Sequence, residues 1–174
     1  HALAKLARNN QKIQSDITAE GGIAPLLSLL NGRNTDAQVQ AAAALSELCR
    51  ENVETQSAIA KAGGIGPLLS LVASRSPAAQ AHGMGALAQL AHNNRDNQDT
   101  IARMGGIKPL VHLLDLNGDR NVQSHAAFAL MEISRTNAAI QKSIVDNGGI
   151  SQLAALIKNS QNAEVKAYVA GAFW

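Results

Sequence analysis

The segment Gly63-Gly64-Ile65-Gly66-Pro67-Leu68-Leu69 joins a helix stop to a helix start. A double glycine ends a helix, because the first residue past a helix end often needs a left-handed backbone. Pro67 then sits in the first turn of the next helix, where its missing N–H is harmless. Gly-Gly-Ile recurs at Gly21, Gly105 and Gly148, at spacings of 42, 42 and 43 residues. Other columns keep the same period: Asn10, Asn52, Asn94 and Asn137; Gln14, Gln56, Gln98 and Gln141; Ile17, Ile59, Ile101 and Ile144. Pro25, Pro67 and Pro109 form a further column that Gln152 breaks. So many columns in one register define a repeat protein.

Each repeat reads as three helices. The stretch from Asn52 to Ala62 is a short first helix ended by the double glycine. The second carries Ile23, Leu26, Leu27, Leu29 and Leu30 in the first copy, followed by a polar turn such as Asn31-Gly32 or Asn117-Gly118. The extra residue of the 43-residue copy falls in that turn. The third helix is long and starts near Asp36, Ser76 or Asp119, each a suitable N-cap. On it Ala37, Ala41, Ala44, Leu45 and Leu48 share one face, with Gln40, Ala43, Glu47 and Arg50 opposite. No strand pattern appears.

These features resemble the armadillo repeat, with its Gly-Gly-Ile-x-Pro-Leu opening and its Ala-Leu-x-x-Leu third helix, as in Gly85 to Ala91. The resemblance covers essentially the whole chain. It implies an all-α, right-handed α-solenoid, read as one domain over 1–174. Residues 1–20 are a partial repeat, 21–62, 63–104 and 105–147 are full repeats, and 148–174 is a truncated one. The expectation is a piece of a longer array, with apolar Val169, Ala170, Ala172, Phe173 and Trp174 able to stack end to end on another copy.

Family resemblance also implies that the third helices line a concave groove that binds extended segments of partner proteins. The column that holds Asn in many relatives is here Lys5, Glu47, Gln89 and Glu132. The column that holds Trp in importin-alpha is His1, Ala43, Gly85, Phe128 and Gly171, so importin-like recognition of basic signals is not expected. One turn further stand Arg8, Arg50, His92 and Arg135; two turns earlier stand Gln40, His82, His125 and Tyr168. Cations outnumber carboxylates in these columns, which favours a mildly acidic peptide. The alternative reading is that Glu47–Arg50 and Glu132–Arg135, at i and i+3, simply pair along an exposed helix face.

Composition narrows the functional classes. The 174 residues are 46% hydrophobic and 2% aromatic, with 15 Lys and Arg against 13 Asp and Glu. No two basic residues are adjacent, so neither the basic stripe nor the stacking rings of a nucleic-acid binder are present. One cysteine, Cys49, excludes an internal disulfide and fits an intracellular setting, cytoplasmic or nuclear. No apolar run approaches the roughly 18 residues of a membrane helix, so insertion is not expected.

Gly83-Met84-Gly85-Ala86-Leu87-Ala88 matches a dinucleotide-binding pattern, but it lies inside a helix rather than between a strand and a helix. Its glycines read as close helix packing or an open groove floor. His82 and His125 share a column without a third ligand, so no metal and no cofactor are expected. The expected function is a non-catalytic interaction scaffold. An importin-like adaptor and a structural spacer in a larger complex are the alternatives.

Overall fold

A computed structural model describes residues 2–115, 117–159 and 163–172. His1, Phe173 and Trp174, placed above in a groove column or at the apolar end, lie outside the described residues. In chain order the helices are α1 (Ala2–Ala7), α2 (Gln11–Ala19), α3 (Ile23–Leu30), α4 (Thr35–Cys49), α5 (Val53–Lys61), α6 (Ile65–Val72) and α7 (Pro77–Ala91). Then follow α8 (Arg95–Arg103), α9 (Ile107–His112), α10 (Arg120–Ser134), α11 (Ala138–Asp146), α12 (Gly149–Asn159) and α13 (Ala163–Ala172). There is no strand among the described residues. The architecture is an α-solenoid in which the long helices α4, α7 and α10 stand side by side, flanked by α1 and α13.

The repeated residues explain the repeated geometry. Asn10, Asn52, Asn94 and Asn137 each accept a backbone N–H through Oδ1, capping α2, α5, α8 and α11. Such a cap is worth about 1 kcal/mol. At the other end of α5, Gly63 has φ of +84°, and its N–H bonds the Ala60 carbonyl while Gly64 N–H bonds that of Ile59. This is the bonding pattern of a Schellman cap. Gly64 is needed for a different reason, since a Cβ there meets Ile59 Cγ2 at 2.7 Å and Ile59 O at 3.0 Å. The first glycine supplies the turn, and the second lets two helices touch.

The second helices bury one stripe, Ile23, Leu26, Leu27 and Leu30 on α3, into a continuous core. Leu29, grouped with them on sequence, is instead 49% exposed, because it falls outside the i, i+3, i+4, i+7 stripe. Asn34 rather than Asp36 caps α4, its Oδ1 accepting from Ala37 N, while Asp36 lies in the first turn. Ser76 and Asp119 cap α7 and α10 as expected.

A buried amide ladder sets the spacing of the long helices. Gln14, Gln56, Gln98 and Gln141 donate to the last carbonyls of the preceding long helix: Ala7, Cys49, Ala91 and Ser134. Gln14 and Gln98 also reach one repeat ahead, to the Glu47 and Glu132 carbonyls at 2.9 and 3.2 Å. Asn52, Asn94 and Asn137 close the ladder by donating to the Gln oxygens of the preceding repeat. Buried amides are tolerable only when paired like this.

Candidate functional site

The solvent-facing sides of the long helices enclose an open groove of about 910 Å³. Nine of the residues expected from the sequence line it: Lys5 from α1 and Arg8 just past its end; Gln40, Glu47 and Arg50 from α4 or its end; His82 and Gln89 from α7; His125 and Phe128 from α10. Ala43 and Gly85 form part of the floor, and Tyr168 of α13 closes the far end. The Phe128 and Tyr168 rings lie 5.0 Å apart at 49°, so they brace each other.

Three expected residues do not line this groove. His92, Glu132 and Arg135 form a cluster of their own. Glu132 is only 3% exposed. It accepts from Arg135 Nη2 at 3.0 Å and from His92 Nδ1 of the preceding repeat at 2.7 Å. His92 Nε2 then faces the Asn93 amide at 3.2 Å, so both ring nitrogens are engaged. Glu132 therefore ties two repeats together rather than presenting a free carboxylate. In the first full repeat Arg50 grips Glu47 through Nε and Nη2 at 3.3 and 3.1 Å, so the i, i+3 pairing is realised in both copies.

Arg120, Asn121 and Ser124 line the groove without having been expected there. They stand in the first turns of α10, after a connection of seven residues, 113–119, where the preceding repeats use four. Nothing in the column pattern marks them, because the repeating residues that set the register lie in the middle and at the end of the helix. Arg120 raises the positive count: the lining holds Lys5, Arg8, Arg50 and Arg120 against Glu47 alone. Among the described residues Lys5, Arg8 and Arg120 have no carboxylate partner.

Two histidines rim the middle of the groove. His125 Nδ1 lies 2.8 Å from the Asn121 carbonyl, which can only accept, so that nitrogen carries the proton and Nε2 is left toward the groove. Burial and then the neighbouring His125 lower the His82 pKa. No group of three or more His, Cys, Asp or Glu among the described residues is placed to hold a metal ion. Cys49 is fully buried, and burial pushes its thiol far above the usual range, which leaves it an inert packing residue. No helix among the described residues is long and apolar enough to cross a membrane.

The Armadillo/beta-catenin-like repeat profile matches residues 10–50 and 94–135. The crystal structure of an engineered protein is 33% identical and superposes with a TM-score of 0.92, covering 98% of this chain and 68% of that one. This chain belongs to the armadillo-repeat family. A designed armadillo repeat protein is 26% identical with a TM-score of 0.91, over 98% of this chain and 71% of that chain. Another, in complex with the peptide (KR)4, is 24% identical with a TM-score of 0.89, over 99% and 71%. No curated protein matches the chain. In armadillo terms, the groove described above runs along the third helices of successive repeats.

Proposed function

We propose that this armadillo chain is a non-catalytic scaffold that holds an extended, mildly acidic segment of a partner protein in its groove. The observation that carries the reading is the groove's charge: four cations against one carboxylate, and that carboxylate already gripped by Arg50. The designed relative in complex with (KR)4 supports an extended peptide as the class of ligand. The sign of the ligand charge comes from this chain's own residues, and here it is reversed. Clustered cations in a cleft raise the local concentration of acidic groups and repel basic ones. Gln40, Gln89, Asn121 and Ser124 add hydrogen-bonding groups suited to a peptide backbone.

Fluorescence anisotropy with an acidic and a basic peptide pool tests the reading. The acidic pool binds, weakens as salt is raised, and is lost when Lys5, Arg8 and Arg120 are changed together to Ala. Binding of the basic pool instead would support an importin-like adaptor. Binding of neither would leave a spacer.

A further inference from the structure

We infer that the groove contains a subsite for one large apolar side chain of the bound segment, seated over Gly85 and against the Phe128 ring. The inference rests on the peptide-binding reading above and names which acidic segments fit. Gly83 and Gly85 lie two residues apart on α7 and differ completely. A Cβ on Gly83 meets Leu71 Cβ at 2.9 Å and the Leu68 carbonyl at 3.1 Å, so Gly83 is required by packing against α6. A Cβ on Gly85 meets a single atom, His125 Cδ2, at 3.8 Å. Packing therefore does not require a glycine at 85, and a helix interior disfavours one. What the glycine leaves is a depression in the groove floor.

Two sides of that depression, at Ala43 and Phe128, are apolar, with His82, Gln89 and His125 at its rim, whereas the rest of the groove is mostly polar or charged. Phe128 occupies the position of Gly85 one repeat on, and Ala43 the same position one repeat back. Ala81, one turn before Gly85, extends the floor. The ring of Phe128 is braced from behind by Tyr168, so it offers a fixed apolar surface rather than a mobile one. His82 and His125 rim the site, and the lowered pKa of His82 keeps its ring neutral near pH 7. A ligand made only of carboxylates and small residues leaves this surface in water. One Leu, Met or aromatic residue covers it.

Geometry also sets where that residue falls in the segment. Neighbouring helices pack about 8–10 Å apart, and an extended chain rises about 3.3 Å per residue. One repeat then matches about two to three ligand residues. Gly85 lies on α7, one helix from Arg50 at the end of α4 and two from Arg8 at the end of α1. Arg8 stands two helices across, about 18 Å, and seven residues past the Gly85 column, about 10 Å along the helix axis, so the large apolar residue falls about six positions from the carboxylate facing Arg8.

The test uses two labelled peptides of equal charge, with Asp and Glu in a Gly/Ser/Thr background, identical except for Leu or Ser at the predicted position. Both chain directions are made. Anisotropy is expected to show the Leu peptide binding the wild-type chain about tenfold more tightly than the Ser peptide. Gly85→Leu fills the depression and should abolish that preference while holding or raising Tm, since Leu is a better helix former than Gly. Phe128→Ala, checked for folding by circular dichroism, removes the wall and should reduce the preference as well. Equal affinities for the two peptides on the wild-type chain would overturn the subsite and leave the acidic-groove reading standing. So would a preference that survives Gly85→Leu. Failure of both acidic peptides to bind would overturn the subsite and the groove reading together.

Discussion

Gly83 and Gly85 show that one residue type serves opposite purposes two positions apart. Gly83→Ala drives a methyl into Leu71 and the Leu68 carbonyl and is expected to cost about 1–3 kcal/mol. Gly85→Ala meets only a ring edge at van der Waals distance and should stabilise by about 0.5–1 kcal/mol. Urea unfolding of the two variants gives shifts of opposite sign if the packing is as described. A second residue-scale test lies in the turn after each third helix. Asn9, Glu51, Asn93 and Thr136 there all have φ of 52–55°. Asn tolerates that left-handed backbone, whereas a β-branched Thr is strained in it. Thr136→Asn should therefore raise stability by about 0.5–1 kcal/mol, seen as a higher urea midpoint with unchanged slope.

Helices and their ends were readable from the sequence because their signals are local. Double glycines and first-turn prolines act within a few residues, so a single repeat reveals them; the Asn column stood out without its capping role, and Asn34 caps α4 where Asp36 was expected. What reaches between repeats was not readable. The Asn and Gln columns stood out, but that each Gln grips the end of a neighbouring long helix follows only from the stacking. Glu47 and Glu132 share a column and an Arg three residues on, yet only Glu132 is buried, because His92 arrives from the preceding repeat. Gln98 tests the ladder: it donates to the Ala91 and Glu132 carbonyls and accepts from Asn137. Gln98→Ala should cost about 2–3 kcal/mol by leaving buried groups unpaired, whereas exposed Gln11→Ala should stay within about 0.5 kcal/mol. His82 in the groove adds a pH dependence. His82 binds its proton less tightly folded than unfolded, so stability falls as pH drops below the ordinary value of 6.5 and levels off once both states are protonated. His82→Gln should flatten that slope in urea midpoints measured between about pH 7.5 and about pH 5.5.

At the scale of the molecule, the main contacts of each described repeat are with its neighbours, and the groove is what their stacked third helices leave between them. The last described repeat shows what a covering neighbour does. Ile107 and Leu114 are 3% and 0% exposed, while their counterparts one repeat on, Ile150 and Ile157, are 42% and 39% exposed. The groove needs a finer probe than affinity alone, because a charged peptide can bind any basic surface. The decisive measurement is an amide chemical-shift titration with an acidic extended peptide. Our account predicts that shifts cluster at Lys5, Arg8, Gln89, Ser124 and His125 and spare the outer helices around Lys12, Glu54 and Asp96. Shifts concentrated on those outer helices would contradict it.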